Sequence, residues 1–312
     1  LRRQMAAADP SVAMYRRDTS FSLGNVADAL RRKGDLAGAA ALLAEGVALR
    51  EALLAETPQD VTVMRELTLM QNDYVAVLLQ AGDYAAAVPV GQASLAVTER
   101  LLASDPENAE YRHDRLVAAN RLGDAMKGAG DLQGAVAAFQ AMAESGYAIM
   151  TKDPYNQSVA ADYALALERL GDSYIALQSY PAARGEFSNA VALRQWLAGQ
   201  DPQSLIAQRN LAFSMQKLAD SWYYENNLDQ GRPIEEQALG ILRWVAEKDP
   251  SDPWNVIDLV SALDRTASYY EDKSSYFSEA LGLLEQLKAE GRLPNDSYLD
   301  WMTNYRSYLG QK

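Results

Sequence analysis

Cysteine is absent from all 312 residues, which removes disulfides, thiolate metal ligands and a thiol nucleophile together. Histidine occurs once, at His113 between Arg112 and Asp114, where it reads as a surface residue. With one histidine and no cysteine, His/Cys metal clusters and nucleophile–histidine arrangements are missing. Gly128-Ala129-Gly130 is a fragment of a glycine motif, but it follows a helical stretch and no Gly-Lys-Ser/Thr completes it. No catalytic residue, metal or cofactor is therefore expected, and the 42 acids, though rich in carboxylate pairs, follow a repeat lattice. Basic residues are outnumbered, 29 to 42, and the net charge of −13 repels phosphate backbones and anionic lipid. The densest basic runs are only Arg2-Arg3, Arg16-Arg17 and Arg31-Arg32-Lys33, so no nucleic-acid partner is expected. No apolar run approaches the roughly 20 residues of a membrane span, which speaks against membrane insertion. The opening residues do not read as a signal peptide. A cytoplasmic location is the expectation, with the periplasm as the alternative.

What is present favours helix: alanine is abundant, glycine modest and β-branched residues sparse. Apolar residues at 48% and charged residues at 23% are those of a folded chain. Asp-Pro or a close variant recurs at Asp9-Pro10, Thr57-Pro58, Asp105-Pro106, Asp153-Pro154, Asp201-Pro202 and Asp249-Pro250, each 48 residues after the last. Asp can cap free amides and Pro suits a first helical position, so each pair is expected to open a helix. Midway lies a second punctuation: Gly34-Asp35, Gly82-Asp83 and Gly130-Asp131, degrading to Gln178-Ser179, Asn226-Asn227 and Ser274-Ser275. Glycine there can end one helix in the left-handed conformation and Asp can cap the next. A small residue follows at Ala39, Ala87, Ala135, Ala183 and Gly231, then one place late at Ala280, which suggests a one-residue insertion.

Each unit thus predicts two helices of roughly 20 residues, about 30 Å long. Leu53, Leu101, Ile149, Leu197, Val245 and Leu293 form one apolar column; Leu43, Phe139, Phe187 and Leu283 form another, broken by Gly91 and Glu235. Such pairs cannot bury their apolar faces alone and must stack. The expected organisation is residues 1–8 as the tail of a preceding helix, six repeats (9–56, 57–104, 105–152, 153–200, 201–248, 249–294), and a capping helix over 295–312. The chain opens at Leu1 without Met, and 1–8 match a second-helix tail, so at least half a repeat is expected upstream.

Leu122-Gly123, Met126, Gly130-Asp131-Leu132, Ala135 and Phe139 stand at tetratricopeptide spacings, as do Leu170-Gly171, Tyr174, Tyr180, Ala183 and Phe187. The chain resembles the tetratricopeptide repeat (TPR) superfamily. That repeat is normally about 34 residues, and the excess fits about two extra turns on each helix. The variant is similar to the long repeats that trail enzyme domains in bacterial signalling proteins. The implied fold is all-α, a right-handed α-solenoid of six tetratricopeptide-like helix pairs with a C-terminal capping helix. Val75 and Ala219 depart from the favoured Gly, which predicts wider packing there. Pro89 predicts a bend or a late helix start, and Pro233 a helix beginning only near it.

The resemblance implies that first helices line a ligand groove. Three polar columns run along them: Asp18, Glu66, Asp114, Asp162, Asn210, Asp258; then Asn25, Asp73, Arg121, Arg169, Lys217, Arg265; then Asp28, Ala76, Asp124, Asp172, Asp220, Ser268. Offsets of seven and three keep them on one side of a helix. One reading is a structural ladder in which Asp114-type acids pair with Arg121-type bases. The other is recognition of a peptide or carboxylate by Arg121, Arg169, Lys217 and Arg265, with Asn120 and Gln216 as amide donors and Asp124, Asp172 and Asp220 beside them. All five tryptophans lie beyond residue 195. Trp222 and Tyr270 are expected in the core, Tyr223 and Tyr224 in the groove. The expected role is a non-catalytic module binding a partner protein or peptide, as the scaffold or regulatory region of a larger bacterial signalling protein. The alternatives are a self-associating structural array, or the regulatory arm of an enzyme domain upstream of Leu1.

Overall fold

The computed structural model describes residues 2–9 and 11–310. Leu1 of the expected helix tail, Pro10 of the first Asp-Pro pair, and Gln311 and Lys312 of the expected cap lie outside the described residues. Among the described residues every regular element is a helix: α1 (Arg2–Ala8), α2 (Ala13–Arg32), α3 (Leu36–Glu56), α4 (Val61–Ala81), α5 (Tyr84–Ser104), α6 (Ala109–Gly128), α7 (Leu132–Met150), α8 (Gln157–Ala176), α9 (Tyr180–Gln200), α10 (Leu205–Tyr223), α11 (Leu228–Lys248), α12 (Pro253–Ala267), α13 (Ser274–Ala289) and α14 (Tyr298–Tyr308). Helices α2, α4, α6, α8, α10 and α12 start 48 residues apart.

The Asp-Pro pairs do not open these helices. Asp105, Asp201 and Asp249 are the residues that close α5, α9 and α11, and Thr57 closes α3. Proline follows directly because it cannot continue a helix. Three residues on, a different side chain caps the next helix. Asp60 accepts from the amides of Thr62 and Val63, Asn108 from Glu110 and Tyr111, Ser204 from Ala207, and Asp252 from Trp254. At the mid-unit turn the reading of glycine and aspartate stands. Gly34, Gly82 and Gly130 have φ of +84°, +73° and +84°. Asp35, Asp83 and Asp131 accept from the amides of Gly38, Ala86 and Gly134 at 2.8, 3.1 and 2.9 Å. Gln178 and Asn226 keep the left-handed turn at φ 57° without being glycine, and Ser179 and Asn227 make no capping bond.

Proline disturbs the helix starts less than its chemistry predicts. Helix α5 begins at Tyr84 with Pro89 inside it, and α11 begins at Leu228 with Pro233 inside it. Neither helix starts late. Both prolines lie at the sixth helical position, where only one ladder bond is lost. Val75 and Ala219 are fully buried where glycine was favoured. Volume is redistributed around them: Gly123 lies under the Phe139 ring, which a Cβ would meet at 2.4 Å, whereas the residue 16 places after Val75 is Gly91. In the last pair Ala280 is wholly buried while Glu279 stays half-exposed, as a one-residue shift requires.

The chain divides into two compact units, residues 1–173 and 174–312, with the division falling inside α8. In the first, consecutive helices pack in pairs (α2 on α3, α4 on α5, α6 on α7), and Leu43, Val47, Leu67, Met70 and Leu101 of α3, α4 and α5 gather in one core cluster. In the second, α9 packs on α10, α10 on α11, α11 on α12 and α12 on α13. Its core gathers Leu239, Leu242, Val260, Leu263, Leu284 and Met302, and Phe277 stacks on Tyr305 of α14 at 4.8 Å.

Candidate partner-binding face

Two ion-pair ladders run along the first helices, and their offsets differ from the single ladder expected. Asp114 does not pair with an Arg121-type base. Arg65, 49 residues earlier, donates from Nε to Asp114 Oδ2 at 2.9 Å, and Arg17–Glu66 and Arg209–Asp258 repeat the offset. One repeat plus one residue brings a base on one first helix beside the acid on the next. The second ladder joins bases to acids 45 residues earlier: Arg169 to Asp124, and Arg265 to Asp220 at 2.7 Å. Beneath it, Arg169 lies over the Phe139 ring at 5.7 Å and Lys217 over Phe187 at 6.0 Å. Arg17, Arg65 and Arg209 thus belong to the face although sequence reasoning passed over them; the 48-residue step plus one was the available signal.

In the first unit the structure brings together Arg121, Asp124 and Arg169. Burial pushes the Asp124 carboxyl up, and Arg169 opposes it. Burial likewise lowers the Arg121 pKa against the pull of Asp73 and Asp124, and Arg121 Nε makes no hydrogen bond. Asn120 Oδ1 is also buried and accepts no hydrogen bond. Asp172 follows Arg169 by three residues on α8.

In the second unit Gln216, Asp220 and Arg265 converge on Glu235, which stands where Phe139 and Phe187 stand in earlier repeats. Glu235 is 0% exposed. Gln216 Nε2 donates to its Oε1 at 2.9 Å and Arg265 Nε to the same oxygen at 3.3 Å. Arg265 Nη2 also donates to the Gln216 carbonyl at 3.1 Å. Burial raises the Glu235 pKa, with Arg265 and Gln216 opposing; burial works against the Arg265 charge too, but Glu235 and Asp220 outweigh it and raise its pKa. Gln216 therefore serves an internal carboxylate.

Beside this cluster lies a shelf of tyrosines. Tyr224 stacks on Tyr180 at 5.9 Å and meets Tyr223 edge-on at 6.1 Å. Tyr223 in turn meets Tyr269 at 5.4 Å, whose hydroxyl donates to the Ala219 carbonyl at 3.1 Å. Tyr223 is 39% exposed and Tyr224 53%. The expectation that Tyr270 is core is corrected: Tyr269 is buried and Tyr270 half-exposed beneath Arg232. Helix α12 ends at Ala267 after only 15 residues, so the chain turns early and the neighbouring tyrosine faces in. Trp222 is also half-exposed, with the Arg184 guanidinium over its ring at 4.0 Å.

A family model described as tetratricopeptide repeat matches residues 22–60. Solved structures share the fold along the rest of the chain. BtubC from P. vanneervenii is 16% identical, with 82% of this chain and 93% of that one covered at a TM-score of 0.55. The nuclear import adaptor from S. pombe is 13% identical at a TM-score of 0.52, covering 94% and 100%. The family match is thus confined to residues 22–60, and over the rest of the chain the likeness is one of fold. A signal transduction ATPase with a tetratricopeptide repeat sensor from Pyrococcus horikoshii is 11% identical, covers 99% of this chain and 42% of that one, and has a TM-score of 0.58. No curated protein matches. The two ladders engage charged residues of the first helices with one another, so exposed side chains outside the ladders are what a partner can use. Among the described residues no helix is long and apolar enough to cross a membrane.

Proposed function

We propose that the chain is a non-catalytic binding module whose second unit captures a segment of a partner protein on the shelf formed by Tyr180, Tyr223 and Tyr224. The exposed, mutually packed pair Tyr223–Tyr224 carries this reading. Tyrosine offers a large contact area with few torsions to freeze, and the ring contacts hold this pair in place before binding. Arg184 and Glu225 at its edge form an ion pair that supplies a polar rim. The partner is an apolar or aromatic side chain on a peptide segment, seated on the rings. Lys217 and Arg265 are partly engaged elsewhere, by the Phe187 ring and by Asp220 and Glu235, and act in positioning.

A peptide-display selection on the whole chain tests this, followed by titration of selected peptides against wild type and Tyr223→Ala/Tyr224→Ala. At least a tenfold loss, or about 1.4 kcal/mol, is expected. Equal affinity for the double variant would sink the assignment. The repeat plan that accompanies the proposal is six 48-residue units over 9–294 followed by a cap, working in the cytoplasm as the scaffold or regulatory region of a larger bacterial signalling protein. The sensor arm of the Pyrococcus horikoshii ATPase supports that last part by analogy of fold alone. The test is the upstream coding sequence: an enzyme or receptor domain there is the expected result.

A further inference from the structure

The second ladder of the first helices breaks at Arg121, and a cavity lies there. Arg169 and Arg265 each have an acid 45 residues earlier and a ring or carboxylate 30 residues earlier. For Arg121 those positions are Ala76 and Gly91, so it has neither. Helix α4 also inverts the other column, placing Asp73 where later repeats place a base. The result is a cavity of about 370 Å3 in the first unit, lined by Gly24, Asp28 and Arg31 of α2, Leu43 of α3, Asp73, Ala76 and Val77 of α4, and Arg121 of α6. Arg31 is paired with Asp28. Arg121 and Asp73 line the same space, no ion pair joins them, and Arg121 Nε is buried without a hydrogen bond. Burial pushes the Asp73 pKa up and the Arg121 pKa down, so each charge lacks its full compensation.

We propose that this cavity binds a small apolar α-amino acid, its carboxylate on Arg121, its ammonium on Asp73 and its side chain against Leu43 and Val77. The volume is at the lower end of the roughly 300–1,000 Å3 range of small-molecule sites. The lining carries two acids and two bases, so it has no net charge and favours a dipolar ligand over a simple anion. A guanidinium fork suits a carboxylate, and an unpaired buried donor gains most from an acceptor. The ligand supplies the acid that Ala76 fails to provide. This site lies in the first unit and is independent of the tyrosine shelf in the second.

Isothermal titration of the whole chain with L-leucine tests the proposal, beside leucinamide, which lacks the carboxylate, and 4-methylpentanoate, which lacks the ammonium. A Kd below about 1 mM is expected for L-leucine, with at least tenfold weaker binding of both analogues. Arg121→Gln removes the fork; Ala76→Asp restores the ladder acid and fills the cavity while helical content, read by circular dichroism, stays unchanged. Both variants lose L-leucine binding at least tenfold, and a fully helical Ala76→Asp chain keeps the result interpretable if Arg121→Gln misfolds. No heat with L-leucine in the wild type, equal binding by Ala76→Asp, or equal binding of 4-methylpentanoate each overturns the proposal.

Discussion

Replacing Arg265 by alanine isolates the most unusual interaction in the second unit. Glu235 is wholly buried, its Oε1 held by Gln216 at 2.9 Å and Arg265 at 3.3 Å, its Oε2 without a partner. Without the guanidinium the carboxylate stays buried with a single amide donor. Breaking a buried ion pair from one side costs about 3–5 kcal/mol; Arg265 is partly exposed, so the lower end, about 3 kcal/mol, is expected. All five tryptophans, at 196, 222, 244, 254 and 301, lie in the second unit, so urea unfolding followed by tryptophan fluorescence reports this unit selectively. The double variant Arg265→Ala/Glu235→Leu recovers most of the loss, because leucine is the type found at 43 and, after the one-residue shift, at 284 in the same column. The pH dependence has a defined sign. The Glu235 pKa is already raised by burial, and losing Arg265 raises it further. The folded variant therefore binds its proton at higher pH than the unfolded chain, and its deficit shrinks as pH falls from 7 toward 5. A deficit below about 1 kcal/mol, or a double variant no better than the single, refutes the reasoning.

Three further outcomes follow from local geometry. Gln178 holds φ 57° where Gly34, Gly82 and Gly130 stand in earlier repeats, so Gln178→Gly raises stability by about 1 kcal/mol in chemical denaturation. Gly123→Val drives a side chain into the Phe139 ring, which even a Cβ would meet at 2.4 Å, and costs about 1–3 kcal/mol by circular dichroism melts. Asp60 accepts from two amides at the start of α4, and Asp60→Ala lowers the stability of the first unit by about 1 kcal/mol on the same measurement.

The repeating step was legible because one chemical event, ending a helix, is written the same way each time. Its assignment was not: Asp-Pro could open a helix or close one, and both readings obey the known preferences of Asp and Pro. Asn108 and Ser204, three residues further on, carried the deciding information. The polar columns were legible as columns, but their partners were not. Which base meets which acid depends on the stagger between neighbouring first helices, and a periodic sequence offers several offsets with matching charge. Arg65 reaches Asp114 only because that stagger is one repeat plus one residue. Tyr269 was missed in favour of Tyr270 for the same kind of reason: a helix shortened by a few residues rotates every later side chain.

Periodicity also sorts the polar residues by role. A position that repeats its charge and finds the same partner in successive units is explained by stacking, which every unit needs equally. A ligand breaks that equivalence, because it contacts particular units. The departures are therefore the informative positions: Ala76 and Asp73 in α4, which leave Arg121 unpaired, and Tyr223–Tyr224 at the end of α10, which replace the lysine and glycine at 127 and 128. Glu235 is the departure that proves the distinction is needed. It breaks its column as sharply as the others, yet Gln216 and Arg265 of its own unit engage one of its oxygens and its side chain is wholly buried, whereas Arg121 faces a cavity and the tyrosines face solvent. An irregular residue marks a binding site when its neighbours fail to compensate it, and that condition separates Arg121 from Arg265 although both stand in one column.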